Sequence, residues 1–239
     1  MVLKYTMGGL LVISPEDDCH EIVDAMLATG YNEEFCIASS FEPEFIARLM
    51  DAGFLVMSTD IAVKDEPEPF FVLLPKLHLV RSALFFDSLH IKKSIRRKLD
   101  KYELRPDSDF EYIVDRCIKK HGADWLTPPL IKAIKEIRKT TPTKNAYPTS
   151  FALYRDGNLV AGEFGVICGK IYTSYSGFYD ERNAGTVQII LMTKYLEKRG
   201  FSFLDLGMPM KYKNTLGAED ISPEAFVSLF RSSAANLAP

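Results

Sequence analysis

The chain of 239 residues lacks the patterns that mark metal centres and disulfide-stapled folds. Its four cysteines are scattered without a CxxC pair, and its four histidines show neither an HxxxH nor an HxE spacing. This distribution argues against a disulfide framework and against a zinc or iron–sulfur site. We therefore expect free thiols, a reducing compartment and no bound metal.

Long apolar segments are also missing. No run approaches the roughly 20 apolar residues that a membrane-spanning helix requires. The short apolar stretch near the N-terminus is not followed by a small-residue cleavage pattern before Pro15. We therefore expect neither a signal peptide nor a membrane partner, and we expect a cytoplasmic protein.

The chain has no excess of basic charge either. Its 29 Lys and Arg residues face 32 Asp and Glu residues, which gives a formal net charge of −3. No overall field therefore draws the protein to nucleic acid, so any RNA contact must come from a local patch. The hydrophobic content of 47% is ordinary for a globular protein that can bury a core.

The first part of the chain, residues 1–76, alternates short apolar strands with helical patterns. Apolar spacing predicts helices over Glu21–Leu27 and Glu42–Met50, the second of them capped by Ser40. The charged, proline-containing segment Lys64–Pro69 is typical of a turn or a short linker. We predict a small N-terminal α/β domain over residues 1–76.

From residue 77 onward the predicted elements are longer. The pattern predicts four helices, at Leu89–Asp100, Asp107–His121, Thr127–Lys139 and Ala184–Arg199. The first of these is basic and amphipathic, and the second is expected to be capped at Asp107 or Ser108.

Two apolar runs flank Asp156-Gly157, a dipeptide that favours a β-hairpin. Two more strands are predicted on either side of the last helix, at Lys170–Tyr179 and Phe201–Leu206. Strand, strand, strand, helix, strand is the core order of the GNAT acyltransferase fold. We predict the α+β class, with a GNAT-like domain over residues 77–239 whose mixed sheet is flanked by helices.

Seven short segments, in order and at compatible spacing, carry a family resemblance. They are SFEPEF (40–45) with DAGF (51–54), LHIKKSIRR (89–97), DWLTP (124–128), GEFGV (162–166), SYSGF (174–178), FLDLG (203–207) and LGA (216–218). Through them the stretch from Phe35 to Arg231 resembles the leucyl/phenylalanyl-tRNA–protein transferase family. Each segment alone is weak evidence, whereas seven in the right order are hard to obtain by chance.

The resemblance implies an enzyme that moves an amino acid from aminoacyl-tRNA to the N-terminus of an acceptor protein. Its partners would be aminoacyl-tRNA and protein N-termini, and it would use no metal and no coenzyme A. We expect it to act as a monomer. Forming a peptide bond in this way needs positioning and a proton acceptor more than it needs a nucleophilic side chain.

The departures from the family pattern fall on the active site. The family has an Asp and, two residues later, a Gln, both implicated in proton transfer; here the positions hold Asp205 and Gly207. We predict that Asp205 is catalytic and organises the reacting amine, directly or through water. The alternative is that Asp205 only caps the end of a strand.

The amino-acid pocket is also altered. The family's pocket Met and a second apolar residue are Gly177 and Glu163 here. A buried acid needs a cation, and a guanidinium matches a carboxylate with two hydrogen bonds, so we hypothesise a pocket for Arg. Alternatively, Glu163 points outward and pairs with a surface Lys, since strand alternation puts it opposite Phe164. The predicted substrate-binding residues are Glu163, Tyr175, Ser176, Gly177, Phe178 and Gly207.

A changed donor suggests a changed acceptor. The family acts on N-terminal Arg or Lys and holds them with acidic groups, and one such Glu is Tyr175 here. This loss of charge is consistent with acceptors that begin with Asp or Glu, which would make the reaction an arginylation in an N-degron pathway. Transfer of Leu or Phe to N-terminal Arg or Lys is the other reading.

The resemblance places tRNA contacts on a run of basic residues between positions 92 and 101. Residues 93, 97 and 101 would share one helix face, and phosphate binding by such a patch is salt-sensitive. Without the resemblance, the run reads as an ordinary solvated face, and Trp125 as either a core or a stacking residue. The predicted tRNA-binding residues are Lys92, Lys93, Arg96, Arg97, Lys98, Lys101 and Trp125.

Two rival functions remain. Arg182–Thr186, before a predicted helix, faintly resembles the loop that binds coenzyme A in GNAT N-acetyltransferases, although it has one glycine where a phosphate-binding loop normally has more. The second rival is a degenerate, non-catalytic homologue that binds tRNA or protein N-termini, since the family Glu and Gln are both absent.

Overall fold

The structure is a computed structural model that describes residues 3–62, 69–143 and 145–234. Most of the predicted linker, residues 64–68, lies outside the described residues. The chain divides into two compact units, one comprising Met1–Leu79 with Gly122–Ala146, the other Val80–His121 with Tyr147–Pro239. The expected domains at residues 1–76 and 77–239 stay a prediction.

The elements are numbered in chain order. The described helices are α1 (Cys19–Thr29), α2 (Pro43–Asp51), α3 (Lys93–Arg96), α4 (Phe110–His121), α5 (Pro128–Thr140), α6 (Ala184–Lys198), α7 (Lys211–Asn214) and α8 (Pro223–Ala234). The described strands are β1 (Lys4–Tyr5), β2 (Leu11–Val12), β3 (Cys36–Ile37), β4 (Leu55–Ile61), β5 (Phe70–Lys76), β6 (Arg81–Phe85), β7 (Glu103–Pro106), β8 (Ala146–Arg155), β9 (Asn158–Cys168), β10 (Ile171–Tyr179), β11 (Phe203–Asp205) and β12 (Glu219–Ile221).

Within the described residues, the largest sheet has seven strands in the order β12-β6-β11-β10-β9-β8-β7. Strands β10 and β11 run parallel, whereas β6 is antiparallel to both β11 and β12. The sheet is therefore mixed, and the predicted α+β class is confirmed. The predicted GNAT core order is also confirmed, as β8, β9, β10, α6 and β11.

Local sequence explains several element boundaries. The Asp18 carboxylate accepts hydrogen bonds from the first amides of α1, and Gly30 ends that helix at a φ of 64°. The predicted capping of α2 by Ser40 is wrong, because the helix begins at Pro43 and Glu42 occupies the cap position. The predicted caps of α4 are wrong too, since that helix begins at Phe110.

The β8–β9 hairpin turns where the sequence predicts it. Asp156 and Gly157 have φ angles of 51° and 78°. Two consecutive positive φ angles give a turn whose twist matches that of the flanking strands. The hairpin therefore brings Arg155, at the end of β8, to the edge of the turn.

The predicted helix over residues 89–100 is wrong. Only one helical turn forms, α3, followed by a 3₁₀ turn at Leu99–Lys101. The amide of His90 donates to the carbonyl of Leu216 at 2.8 Å, so the start of this segment is held by a tertiary hydrogen bond and not by a helix. Positions 93, 97 and 101 therefore do not line one face of a continuous helix.

The large sheet carries a hydrophobic core on its α6 side. Apolar residues of α6, among them Val187 and Ile190, pack in one cluster with Leu84, Leu204 and Tyr172 from the strands. Among the described residues, no helix has the length and apolar content needed to cross a bilayer.

Candidate active site

Asp205 lies at the end of β11 and is fully buried with a cation. Its carboxylate accepts hydrogen bonds from Arg81, from Nε at 3.0 Å to Oδ1 and from Nη2 at 2.6 Å to Oδ2. Both side chains are enclosed, at 1% exposure for Arg81 and 0% for Asp205. The guanidinium also lies 3.8 Å from the ring centre of Phe226, so the pair has an aromatic face on one side.

The ionised state of Asp205 is imposed by its neighbours. Burial acts to raise the pKa of Asp205, but the charge and hydrogen bonds of Arg81, with smaller contributions from the Gly207 amide and the Thr173 hydroxyl, lower that pKa below its ordinary value. The carboxylate is thus ionised, and both of its oxygens already accept hydrogen bonds. Sequence reasoning missed Arg81. An arginine just before the apolar run Ala83–Phe86 could have indicated a cation at the start of a buried strand.

Gly207 is tied to the same network through its backbone. Its amide donates to Oδ1 of Asp205 at 3.0 Å, and its carbonyl accepts from the amide of Ser82 at 2.7 Å. Its φ is 69°, in the left-handed region that favours glycine. Position 207 therefore serves the turn after β11, where the family has a functional side chain.

Glu163 is buried on β9, with one carboxylate oxygen left unsatisfied. The residue is 7% exposed, and its Oε1 has no hydrogen-bond partner among the described residues. Desolvation raises the pKa of Glu163 to about 7, against the opposing influence of the Ser174 hydroxyl and the Lys213 charge. The alternative of an outward-pointing surface glutamate is therefore wrong.

Lys213, on α7, has a buried side chain that feels the charge of both acids. Its Nζ donates to the carbonyls of Leu206 at 2.6 Å and Met208 at 2.7 Å. Burial lowers the pKa of Lys213, and the carboxylates of Asp205 and Glu163 act to raise it. Sequence reasoning missed this residue because it lies in an ordinary-looking basic stretch, two residues after Lys211.

The glycines of β9 show which helix covers each face of the sheet. A Cβ at Gly162 would lie 2.8 Å from Ile113 of α4. A Cβ at Gly165 would lie 2.7 Å from the ring of Tyr172, which belongs to the α6-side core. Since alternate strand residues share a face, Glu163 lies on the side of Gly165, opposite Phe164 as predicted.

The predicted substrate-binding residues are split between these two faces. Gly177 lies directly opposite Glu163 in the antiparallel register, and a Cβ there would be 3.4 Å from the Cβ of Glu163. Tyr175 and Phe178 instead lie on the α4 side. The Tyr175 ring is 6.1 Å from that of Phe164, and Phe178 meets Gly162 in the register.

Ser176 also lies on the α4 side, because it is paired with Phe164 and contacts Cys117 of α4. A shift in register between Ser174 and Ser176 leaves Tyr175 as an extra residue in β10. Such bulges redirect side chains next to functional sites. The structure therefore brings Glu163 and Gly177 together, and it places Tyr175, Ser176 and Phe178 across the sheet from them.

Comparison with known proteins decides the family. The family model "Leucyl/phenylalanyl-tRNA protein transferase" matches residues 83–231, which include Glu163, Asp205 and Lys213. The chain belongs to this family. The earlier part of the sequence resemblance, residues 35–82, lies outside the range that the family model matches.

Individual members of the leucyl/phenylalanyl-tRNA–protein transferase family match at moderate identity. A protein of that name from Maridesulfovibrio salexigens is 31% identical over 62% of this chain and 63% of its own length. Another from Flavobacterium johnsoniae is 29% identical over 70% of this chain and 78% of its own. The chain thus spans less than two thirds of the first relative.

Two solved structures resemble the chain remotely. FemX is 11% identical with a TM-score of 0.46, over 92% of this chain and 81% of that one. A GCN5-related N-acetyltransferase from Kribbella flavida is 12% identical with a TM-score of 0.38, over 88% and 74%. Both TM-scores are below 0.5, and no conclusion rests on them.

The basic residues that the family resemblance assigns to tRNA are available at the surface. The exposed members are Lys92, Lys93, Arg96, Arg97, Lys98 and Lys101. Trp125 lies in the other compact unit and is partly exposed, and its carbonyl accepts from the amide of Ser58 at 2.9 Å. Its assignment to stacking or to the core stays open.

Two further observations bear on cofactors. Within the described residues, no group of three His, Cys, Asp or Glu side chains is placed to hold a metal ion. In the segment that resembles a coenzyme A loop, a Cβ at Gly185 would lie 3.1 Å from the ring of Tyr179. Packing against Tyr179 therefore accounts for this glycine without a ligand.

Proposed function

We propose that the protein is an aminoacyl-tRNA–protein transferase, which moves an amino acid from a charged tRNA onto the N-terminus of an acceptor protein. The observation that carries this proposal is the family match over residues 83–231. The matched range contains the buried acids, the buried Lys213 and the exposed basic residues between 92 and 101.

The reaction exchanges an ester for an amide. The α-amine of the acceptor attacks the ester carbonyl of the aminoacyl-tRNA, a C–N bond forms, and the C–O bond to the terminal ribose breaks. The amine loses a proton and the ribose oxygen gains one, so no outside reagent is consumed. A protein that performs this reaction must align the two substrates and stabilise the developing charges.

In this proposal Asp205 is a positioning residue. Its carboxylate is fully buried and bonded to Arg81 and to the Gly207 amide, so an incoming amine has no free oxygen to meet. The Arg81–Asp205 ion pair instead fixes the turn after β11 and the local electrostatic field. Lys213 extends this arrangement, because it binds the carbonyls of Leu206 and Met208 in the same turn.

We further propose arginine as the favoured donor amino acid, with Glu163 as the group that recognises it. A buried carboxylate with an unsatisfied oxygen is stabilised by a cation that brings hydrogen-bond donors. Within the described residues, Lys213 makes no ion pair with Glu163, because its ammonium is directed to two backbone carbonyls. Gly177, which pairs with Glu163 in the register, has no side chain that could compete for the carboxylate.

The acceptor would then begin with Asp or Glu. Support comes from the uncharged Tyr175, which stands where the family has an acid that holds basic acceptors. Such a reaction would add a new N-terminal residue to proteins in an N-degron pathway. We propose that it takes place in the cytoplasm, with the protein acting as a monomer.

A transfer assay tests the whole proposal. The purified full-length chain is offered tRNAs charged with labelled Arg, Lys, Leu, Phe or Met, together with peptides that begin with Asp, Glu, Arg or Lys. Arg transferred to acidic peptides supports the full proposal. Leu or Phe transferred to basic peptides supports the transferase and refutes the arginine pocket. No transfer with tRNA still bound supports the non-catalytic homologue, and binding of acetyl-CoA would favour an acetyltransferase.

A further inference from the structure

A cationic cavity lies apart from the buried acids, at the tip of the β8–β9 hairpin. Its volume is about 470 Å³. That is within the range of roughly 300–1,000 Å³ typical of small-molecule sites. Four of its six lining residues are basic; the lining consists of Lys98, Lys101, Tyr102, Arg155, Asp156 and Arg182.

Three different chain segments build this cavity. Lys98, Lys101 and Tyr102 come from the 3₁₀ turn after α3 and the residues that flank it. Arg155 and Asp156 come from the hairpin, and Arg182 comes from the loop before α6. Basic residues along a single helix commonly form only a solvent-exposed face. Basic residues that three segments bring together around a cavity instead concentrate positive potential where one ligand can bind.

The cations of this cavity differ in how they are held. Arg155 is fixed by Glu181, with Nη1 to Oε2 at 2.6 Å, and by Asp156, with Nε to Oδ2 at 3.5 Å. By contrast, Lys98, Lys101 and Arg182 make no ion pair with any residue that the structure describes. The cavity therefore combines one pre-positioned guanidinium with three charges that protein acids leave uncompensated.

We propose that this cavity is a phosphate-binding site. Guanidinium groups match phosphate oxygens with paired hydrogen bonds, and lysines add point charge. The phosphate has two possible sources, the backbone of a bound tRNA or a free nucleotide. The exposed Lys92, Lys93, Arg96 and Arg97 precede the cavity residues along the chain and favour the tRNA backbone. That source rests on the proposed transferase function, whereas the phosphate chemistry does not.

The test measures binding, without any need for transfer activity. Uncharged tRNA is titrated by fluorescence anisotropy between about 50 and 200 mM salt. AMP and inorganic phosphate are titrated by calorimetry. The variant Lys98→Ala/Arg182→Ala is compared with Lys119→Ala/Arg199→Ala, which removes the same charges from exposed positions outside the cavity.

For the tRNA source, the cavity variant should bind tRNA about tenfold more weakly, and the slope of log affinity against log salt should fall by roughly 1.5. For the nucleotide source, AMP and phosphate binding should be lost while tRNA binding is unchanged. Unchanged binding of all three probes would overturn the proposal. If binding depends on the cavity but no amino acid is transferred, only the proposed function fails.

A gain of affinity provides a second readout that misfolding cannot imitate. Asp156 is the one acid among the lining residues, and its φ of 51° is in a region that Asn also adopts. Asp156→Asn should therefore keep the turn and tighten phosphate or tRNA binding about twofold to threefold, because a like charge is removed from beside the ligand. Weaker binding in this variant would contradict the proposal.

Discussion

Arg81 and Asp205 form an ion pair that solvent does not reach, with exposures of 1% and 0%. The pair joins the first residue of β6 to the last residue of β11, two neighbouring strands. Because Gly207 donates to the same carboxylate, the pair also sets the turn that follows β11. The residue aligned with the family's proton-transfer Asp is thus held by a partner that the sequence motif does not contain.

Removing one member of this pair should be costly. Arg81→Met leaves the Asp205 carboxylate buried without its cation, and we expect the free energy of unfolding to fall by about 3–5 kcal/mol. Urea unfolding at pH 7 measures the change. The double variant Arg81→Met/Asp205→Leu should recover most of that loss, since it buries no charge. A loss below about 1 kcal/mol in Arg81→Met would show that the pair does not hold the turn.

The same pair predicts a pH dependence. The pKa of Asp205 is lowered in the folded state, so its stabilisation is present above the ordinary aspartate value of 3.8 and is lost as the pH falls through the folded value. On the acid side of neutral pH, the stability difference between wild type and the double variant should therefore change only below about pH 4.

Glu163 predicts the opposite dependence. Its pKa is raised from 4.5 to about 7, so between these values the unfolded chain ionises while the folded chain keeps its proton. Wild-type stability should therefore fall with rising pH across this window. Relative to Glu163→Gln, the loss from pH 5 to pH 8 should be on the order of 2 kcal/mol. The exposed Glu197→Gln is the control, and a curve for Glu163→Gln parallel to wild type would refute the assignment.

The donor preference should respond to Glu163. Glu163→Leu replaces the buried acid by an apolar group, and the ratio of Arg to Leu or Phe transferred should shift toward Leu and Phe. Competition between labelled aminoacyl-tRNAs measures this ratio. Glu163→Gln keeps the shape and removes the charge, so it separates the two effects. An unchanged ratio in both variants would remove Glu163 from the pocket.

Gly217 should tolerate no side chain. A Cβ there would lie 1.8 Å from the carbonyl oxygen of Ser88, in a residue with a φ of 97°. Gly200 also has a positive φ, 73°, but nothing lies within 4 Å of its Cβ position. Gly200→Ala should therefore cost about 1 kcal/mol from backbone strain alone, whereas Gly217→Ala should cost several times more in thermal unfolding. Equal costs would show that the Ser88 contact is not rigid.

Charge reversal tests the assignment of tRNA binding to the exposed basic surface. Arg96→Glu/Arg97→Glu should weaken tRNA binding and reduce its salt dependence by about 2 in log–log slope. The control Lys198→Glu/Arg199→Glu makes the same charge change at the exposed end of α6. If affinity and slope are unchanged in the first variant, tRNA binds elsewhere.

The sequence was sufficient for elements whose signals are local. The Asp156-Gly157 turn, the apolar periodicity of α6 and the proline start of α5 each depend on neighbouring residues, and each was predicted correctly. It was insufficient between 89 and 100, where the periodicity favoured a helix and the structure instead has a single helical turn and a tertiary hydrogen bond from the amide of His90 to the carbonyl of Leu216.

Tertiary structure alone decided the candidate site. The sequence determined that Asp205 and Glu163 lie on strands, and strand alternation placed Glu163 opposite Phe164. It could not determine that Arg81, 124 residues away in the chain, neutralises Asp205, or that Lys213 lies near Glu163. The physical reason is that periodicity specifies only the face of the element on which a side chain lies. The order of the strands and their bulges determine which charged residue, distant in sequence, lies beside that side chain. In the buried interior, water does not screen the interaction between them.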